Sequence, residues 1–218
     1  MSNPIIAIVG AGPGVSAAVA RKFGSNGFRV ALVARNASSL DALASELRED
    51  GIETIFATAD ASRPESIADA FRSIREQFGE PDVLLYNAAA ISRTAATALS
   101  EQQLIEDFKV NVVGALTSVK EVAPRFVERK EGTVLITGGG LALHPHPDYA
   151  SLSVGKAGVR SLAYALAQEL KPSNVYVGTV TIGGFVSRGT YYDPDRIAEK
   201  YWELYRDRDD VEYVFAEA

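Results

Sequence analysis

The feature that most constrains this chain is an apolar run that ends abruptly in three glycines near its start. Residues 5–9 read Ile-Ile-Ala-Ile-Val, and residues 10–16 read Gly-Ala-Gly-Pro-Gly-Val-Ser. A continuous β-branched run is typical of a buried parallel strand, and glycines allow a tight turn from a strand into a helix. The first amides of that helix are unpaired and, with the helix dipole, favour an anion such as phosphate. The stretch therefore predicts a strand, a phosphate-binding turn and a helix, although such glycines also occur where they only close a turn.

Strands and helices alternate along the rest of the chain. Further apolar runs predict strands at 28–34, 52–57, 83–86, 133–137, 175–182 and 211–215. Apolar residues at helical spacing predict helices at 38–50, 64–78, 101–109, 110–129, 149–170 and 195–205. This alternation predicts an α/β fold, a doubly wound parallel sheet of about seven strands with helices on both faces. Because no linker or change of composition interrupts residues 1–218, we expect a single domain.

Composition excludes several classes of function. The net charge is −6 and no basic run occurs, which argues against nucleic acid as a partner. No stretch reaches the roughly 20 apolar residues of a membrane helix, and the N-terminus lacks a targeting segment, so we expect a cytoplasmic protein without a membrane partner. The chain has no cysteine, which excludes thiol redox chemistry and cysteine-rich zinc sites. We expect no metal site.

Motifs at matched spacing over nearly the whole chain resemble those of the short-chain dehydrogenase/reductase family. The glycine turn resembles the family's TGxxxGxG motif, with Val9 in place of the threonine and Ser16 in place of the last glycine. The family's NNAG motif corresponds to Tyr86-Asn87-Ala88-Ala89, and Asp60 stands where the family has an aspartate that binds adenine. The resemblance implies a Rossmann-type fold and a nicotinamide dinucleotide held by Gly10, Gly12, Pro13, Gly14, Val15, Asp60, Ala61, Asn87, Ala88, Ala89, Lys156 and Gly183.

Arg35 indicates which dinucleotide binds. In folds of this kind an acidic residue about twenty positions past the glycine turn hydrogen-bonds the ribose 2′-hydroxyl, whereas an arginine attracts a 2′-phosphate. The second predicted strand ends Val33-Ala34-Arg35-Asn36, which contains no acid. We therefore predict NADP(H) rather than NAD(H). The alternative is that Arg35 is simply a solvated residue after a strand.

The residues that the resemblance makes catalytic are only partly present. Asn111 and Lys156 match the asparagine and lysine of the family's catalytic tetrad. Leu152 stands four residues before the lysine, where the family has the tyrosine that donates a proton to the nascent alkoxide. Gly139 stands where the family has a serine, and the nearest hydroxyl is that of Thr137. The resemblance also gives the lysine a second role, a hydrogen bond to the nicotinamide ribose.

Other side chains near this helix are candidates for the missing proton donor. Tyr149 precedes Lys156 by seven residues, which places it two turns away on nearly the same helical face. It is our candidate catalytic phenol, although a tyrosine packed at the helix entrance is the plainer interpretation. His144 and His146 lie just before this helix, and imidazole suits proton transfer near neutral pH. Histidines flanked by proline on a loop are more often surface residues.

Three functions remain open from the sequence. The first is an NADP(H)-dependent oxidoreductase that acts on a small organic carbonyl, imine or enone with a non-standard proton donor. The second is a redox-inactive NADP(H)-binding regulatory or partner subunit, and the third is a non-redox isomerase or lyase. Phe185, Tyr191 and Tyr192 are expected to line an apolar pocket or a subunit contact. The resemblance implies a homodimer or homotetramer.

Overall fold

The computed structural model describes residues 3–217. Within them, seven strands alternate with seven helices. The strands are β1 (Ile5–Val9), β2 (Arg29–Ala34), β3 (Thr54–Thr58), β4 (Val83–Tyr86), β5 (Gly132–Gly139), β6 (Val175–Ile182) and β7 (Glu212–Phe215). The helices are α1 (Val15–Ser25), α2 (Ala37–Glu49), α3 (Pro64–Gln77), α4 (Glu101–Phe108), α5 (Gly114–Arg129), α6 (Ala150–Leu170) and α7 (Pro194–Asp207).

All strands join one parallel sheet in the order β3-β2-β1-β4-β5-β6-β7. The last residue of β1, Val9, pairs with Val33 on one side and Tyr86 on the other, so the carboxyl ends of the three strands lie level. The chain reverses its direction of travel across the sheet between β1 and β4, and a crevice opens at such a point. The predicted doubly wound α/β fold with seven strands is confirmed.

Helices cover both faces of the sheet. Alternate residues of β1 divide between two apolar layers, with Ile6 and Ile8 packed toward α1, α2 and α7, and Ala7 and Val9 packed toward α3, α5 and α6. Every residue of β1 is buried. Burial on both faces explains why its sequence is continuously apolar rather than alternating.

Helix α7 lies beside α1 and completes one of these layers. The ring centroids of Trp202 and Phe23 are 5.1 Å apart, and those of Tyr205 and Phe28 are 5.4 Å apart. Tyr201 is fully buried on the same helix. The aromatic residues of α7 therefore belong to the core, where they hold the C-terminal part of the chain against the first helix.

Two departures from the predicted elements affect the site. The predicted helices 101–109 and 110–129 are joined by a wide π-helical turn, Lys109–Val113, instead of a break. Strand β5 continues past the predicted end at 137, because Gly138 and Gly139 pair with Thr181 and Ile182 of β6. Among residues 3–217, no helix is both long enough and apolar enough to cross a membrane.

Candidate active site

Glycines at two positions build the turn between β1 and α1. Gly10 has a φ of 85°, and a Cβ there would lie 2.5 Å from the Cα atom of Ala88. Gly14 has a φ of 90° and precedes α1, whose N-terminus no side chain caps. The space above Gly12 is open. The turn therefore presents the first amides of α1 to an open region, which is the arrangement that binds anions.

A chain of hydrogen bonds lies behind this turn and links α7, β5, β4 and α1. The Tyr201 hydroxyl donates to Oγ1 of Thr137, and the Thr137 hydroxyl donates to Oδ1 of Asn87, both over 2.7 Å. The Asn87 amide donates to Oγ of Ser16 over 2.7 Å, and the Ser16 hydroxyl donates to the Gly10 carbonyl over 2.8 Å. The two intermediate hydroxyls each accept one bond and donate one. The donor-to-acceptor direction is therefore fixed along the whole series of hydrogen bonds.

A cavity of about 330 Å³ opens at the carboxyl ends of β1, β2 and β4. It contains seven of the residues predicted to bind the cofactor, namely Gly10, Arg35, Asp60, Ala61, Asn87, Ala88 and Ala89. Gly12, Pro13, Gly14 and Val15 belong to the adjoining turn and helix start. Lys156 and Gly183 are not part of the cavity wall.

The wall of this cavity carries two opposite charges, those of Asp60 and Arg35. Oδ1 of Asp60 accepts hydrogen bonds from the amide and the hydroxyl of Ser62, over 2.9 and 2.8 Å. These bonds, with a smaller contribution from the positive charge of Arg35, hold the pKa of Asp60 below its usual value. Arg35 is exposed, and no carboxylate within residues 3–217 forms an ion pair with it. Its guanidinium is therefore available to an anionic ligand.

Asn111 lies in the π-helical turn and fixes the segment that follows β4. Its Oδ1 accepts a hydrogen bond from the Ala90 amide over 2.8 Å, and its Nδ2 donates to the Ala90 carbonyl over 3.2 Å. A Cβ at Gly155 would lie 2.7 Å from the Cβ of Asn111, so α6 passes close to this turn. The asparagine therefore joins the crevice wall to the helix that carries Lys156.

Lys156 extends from α6 to the end of β5. Its Nζ donates to the Thr137 carbonyl over 2.8 Å. A Cβ at Gly139 would lie 3.3 Å from Cδ and Cε of the lysine, so the absence of a side chain there lets the lysine stem lie against the strand. Burial lowers the pKa of Lys156 to about 8. Within the described part of the chain, no phenol hydrogen-bonds to this ammonium group.

Leu152 and Tyr149 precede Lys156 by one and two turns. Leu152 is buried in α6. Tyr149 is the residue immediately before the helix, and its ring packs against that of His146 with centroids 5.7 Å apart. Nδ1 of His146 accepts a hydrogen bond from the Asp148 amide over 3.1 Å. The Tyr149 phenol thus lies at the start of α6. It contacts His146, whose ring nitrogen accepts a hydrogen bond from the main chain of the loop.

The segment after β6 packs toward the C-terminal strand. The Gly183 amide donates to the Phe215 carbonyl over 2.8 Å. The rings of Tyr191 and Tyr192 lie 5.1 and 6.0 Å from the Phe215 ring, which places both tyrosines against β7. Phe185 is 86% exposed. Neither tyrosine is among the residues that line the cavity, so the expectation that they line a pocket is not matched at this cavity.

Sequence reasoning missed how Ser16, Thr137 and Tyr201 are connected. The sequence presents Ser16 only as a replaced glycine and Thr137 only as a nearby hydroxyl, and it does not mark Tyr201 as a partner of either. The available signal is that each places a hydroxyl at a position that the fold buries or half-buries, because such a group needs a hydrogen-bond partner. Which partner it finds depends on strand order and helix placement, and the sequence alone does not give these.

Comparison with known proteins fits this geometry. Residues 4–193 match the family model of the short chain dehydrogenases. The chain belongs to this family. Among the relatives of this short chain dehydrogenase, an uncharacterized oxidoreductase of Listeria monocytogenes is 27% identical over 182 residues, which cover 84% of this chain and 73% of that protein. The 3-oxoacyl-acyl-carrier-protein reductase of Staphylococcus epidermidis is 23% identical over 202 residues, which cover 92% of this chain and 83% of that protein.

Solved structures of similar shape include complexes with nicotinamide nucleotides. The crystal structure of a metagenomic short-chain oxidoreductase in complex with NADP matches this short chain dehydrogenase with a TM-score of 0.89 and 26% identity, over 98% of this chain and 97% of that one. A short-chain dehydrogenase from Sphingobium yanoikuyae in complex with NADPH matches with a TM-score of 0.86 and 25% identity, over 97% of this chain and 87% of that one.

Proposed function

We propose that this short chain dehydrogenase is an NADP(H)-dependent oxidoreductase. It acts on a small organic carbonyl, imine or enone, and its proton comes from a group other than a tyrosine at position 152. The observation that carries the proposal is the cavity at the ends of β1, β2 and β4, because an exposed arginine lies on its wall and the glycine turn before the uncapped helix α1 adjoins it. NADP and NADPH in the two structural neighbours support the choice of nucleotide. When bound, NADPH supplies a hydride to the substrate carbon.

The residues around the cavity fit the parts of this nucleotide. The glycine turn would hold the pyrophosphate, because the amides of α1 and its dipole favour negative charge there. Asp60 and Ala61 would hold the adenine, since the carboxylate of Asp60 is a hydrogen-bond acceptor at neutral pH. Lys156 and Gly183 lie outside the cavity wall, and we assign them to the nicotinamide end of the cofactor. The residues assigned to the cofactor are Gly10, Gly12, Pro13, Gly14, Val15, Arg35, Asp60, Ala61, Asn87, Ala88, Ala89, Lys156 and Gly183.

Arg35 selects NADP(H) over NAD(H). Arg35 directly follows β2 and lies on the cavity wall. Its guanidinium has five N–H donors in a planar arrangement that matches the oxygens of a phosphate. A ribose hydroxyl offers no charge for it to pair with. We therefore infer that the adenosine 2′-phosphate binds Arg35.

We assign Asn111, Lys156 and Tyr149 to the catalytic part of the site. Asn111 holds the segment at Ala90 in place, and Lys156 reaches the end of β5 next to Asn87 by way of Thr137. Tyr149 is the candidate phenol at the start of α6. The site thus keeps the groups that position substrate and cofactor. The group that donates the proton differs from the tyrosine that the family uses.

A second candidate function is supported by Leu152 and Gly139. Neither side chain can donate or accept a proton, so the protein can bind NADP(H) without redox turnover, as a regulatory or partner subunit, or can use the pocket for a non-redox isomerase or lyase reaction. These functions predict nucleotide binding without consumption of NADPH.

Exposed apolar side chains on α4, α5 and α6 support self-association. Ile105 and Phe108 lie on α4, Leu116 lies on α5 and Val154 lies on α6, and all four are exposed large hydrophobic residues. We propose that these helices pair in a homodimer or homotetramer of single-domain chains. The cytoplasmic location stays a prediction.

Titration calorimetry and a substrate panel test the proposed function. We expect NADPH to bind at least about tenfold more tightly than NADH, because a charge-assisted hydrogen bond contributes roughly 1.5–3 kcal/mol. Absorbance of NADPH is then followed with aldehydes, ketones, imines, enones and quinones. Binding without consumption of NADPH supports the second candidate function. If neither nucleotide binds, both functions are wrong.

A further inference from the structure

We propose that Ser16 is a positioning residue for the nucleotide, because its hydroxyl ties the first turn of α1 back to Gly10. The inference rests on the proposed function, since the element that Ser16 holds is the turn assigned to the pyrophosphate. In the motif that this chain resembles, a glycine stands at position 16, and a glycine has no side chain that could form such a bond. Three observations about the glycine turn carry the inference.

The first observation is the hydrogen bond that closes the turn. Ser16 is the second residue of α1 and is buried. Its hydroxyl donates to the Gly10 carbonyl over 2.8 Å, six residues earlier in the chain. The bond therefore spans the whole turn, including Gly12 and Gly14. A turn that is closed in this way has fewer conformations, so less conformational entropy is lost when a phosphate binds to it.

The second observation is that the peptide group between residues 10 and 11 is held at both ends. The amides of Gly10 and Ala11 donate to the Val33 carbonyl of β2 over 2.8 and 3.0 Å. The Gly10 carbonyl accepts the short bond from Ser16, while the side-chain amide of Asn87 lies at 3.4 Å from the same oxygen. Since the longer contact is the weaker one, Ser16 supplies the main bond at this oxygen.

The third observation is that neighbouring groups set the direction in which the Ser16 hydroxyl points. The Asn87 amide nitrogen donates to Oγ of Ser16 over 2.7 Å, so the serine proton is directed to Gly10. Oδ1 of Asn87 accepts from the Thr137 hydroxyl, which accepts in turn from Tyr201. The bond that closes the turn is therefore oriented by groups from β5, from α7 and from the residue that follows β4.

This arrangement acts on one part of the nucleotide site. The turn leads into the first amides of α1, which favour a phosphate. Arg35 lies on the cavity wall after β2, and the series of hydrogen bonds through Ser16 does not include it. Loss of the serine hydroxyl should therefore weaken ligands that place a phosphate at the turn. It should spare adenosine 2′-monophosphate, whose one phosphate is the group assigned to Arg35.

The test measures NADPH binding to the wild type, Ser16→Ala and Ser16→Gly by titration calorimetry, with Ser118→Ala as the matched control. Ser118 is buried on α5, and its hydroxyl donates to the Gly114 carbonyl over 2.8 Å. Each alanine variant thus loses one buried hydroxyl that bonds to an earlier carbonyl. We expect both variants at position 16 to bind NADPH about 3- to 10-fold more weakly. Ser118→Ala is expected to keep the wild-type affinity.

Two further measurements separate positioning from a general loss of structure. Displacement of NADPH by adenosine 2′-monophosphate is expected to give the same dissociation constant for this probe in the wild type and in both variants at position 16. Thr137→Val removes the donor to Asn87, so it is expected to weaken NADPH binding by a smaller factor than Ser16→Ala. The double variant Ser16→Ala/Thr137→Val is expected to bind NADPH no more weakly than Ser16→Ala alone, because both changes act through the same bond. Ser16→Gly restores the residue of the family motif and keeps the test open if Ser16→Ala folds poorly.

The outcomes separate the inference from the proposed function. Wild-type NADPH affinity in both variants at position 16, or an equal loss in Ser118→Ala, would overturn the inference and leave NADPH binding in place. An equal loss of affinity for adenosine 2′-monophosphate, or additive effects in the double variant, would also overturn it. If this probe does not displace NADPH from the wild type, the role of Arg35 is wrong and the comparison with Ser118→Ala decides the inference. If the wild type does not bind NADPH, the proposed function is wrong and the inference is wrong with it.

Discussion

Removal of one buried hydroxyl, in the variant Tyr201→Phe, is expected to weaken the link between α7 and the glycine turn. The Tyr201 hydroxyl donates to Oγ1 of Thr137, which donates in turn to Asn87. Phenylalanine keeps the packing of the ring but leaves the threonine oxygen with its outgoing bond only. A buried hydrogen bond contributes roughly 0.5–1.5 kcal/mol net. We therefore expect the free energy of unfolding to fall by about 1 kcal/mol, with an unchanged denaturant slope.

Tyr205→Phe is the matched control because it makes the same change on the same helix. Among residues 3–217, the Tyr205 hydroxyl forms no hydrogen bond, and the ring packs against Phe23 and Phe28. Its free energy of unfolding is expected to stay within about 0.5 kcal/mol of the wild type. Urea titration followed by circular dichroism measures both variants.

A double-mutant cycle tests whether the hydrogen bond is the cause. Thr137→Val leaves the Tyr201 hydroxyl as an unpaired buried donor, so it should cost about 2–3 kcal/mol. In the double variant the phenol is gone as well, and the total cost should be smaller than the sum of the single costs by about 1 kcal/mol. Equal effects of Tyr201→Phe and Tyr205→Phe, or strictly additive costs in the cycle, would refute the reasoning.

The remaining predictions concern the cofactor site, the catalytic position and a partly buried ion pair. Arg35→Glu should weaken NADPH binding about 10- to 100-fold by calorimetry, and unchanged NADPH affinity would contradict the role of the arginine. Leu152→Tyr places a phenol one turn before Lys156, and it should raise kcat for ketones and change the pH profile; an unaltered profile would show that the phenol does not reach the reacting atoms. Gly10→Ala adds a Cβ against Ala88 at a positive φ, so unfolding should become easier by about 3 kcal/mol in a thermal melt. The pKa of Glu212 is lowered chiefly by its hydrogen bond to Arg160, so its stabilisation is present above the unfolded value and is lost as pH falls through the folded pKa. Glu212→Gln should therefore lose less stability than the wild type on acidification below about pH 4.5.

The fold was predictable from the sequence because local patterns and global topology agree. The run Ile5–Val9 is apolar at every position since the sheet buries both of its faces, and the helices between strands leave only a parallel arrangement. The positions of Gly10, Gly14 and Asn111 were also readable, because each follows a recognisable motif. The join between α4 and α5 was not predictable, because π-helical turns are rare and occur mostly as single-turn bulges inside helices.

The connections across the site were not predictable, for a physical reason. The partners of Thr137 come from α6, β4 and α7, which are far from it in the chain. Its carbonyl accepts from Lys156 and its hydroxyl serves Tyr201 and Asn87, so one residue faces two layers of the protein at once. Such a role depends on where helices pack against the sheet, and the threonine in the sequence indicates only that a strand end is polar.

Glycine at 139 and leucine at 152 both neighbour the side chain of Lys156, one from β5 and one from the preceding turn of α6. Glycine at 139 lets the lysine stem lie against β5, since a Cβ there would come within 3.3 Å of Cδ and Cε. Leucine at 152 shares a helical face with the lysine and offers it no hydrogen bond. Neither residue offers the ammonium group a polar side-chain partner, and burial lowers the pKa of Lys156 to about 8. Lys156 extends to the end of β5, so leucine at 152 and glycine at 139 are not by themselves evidence against catalysis.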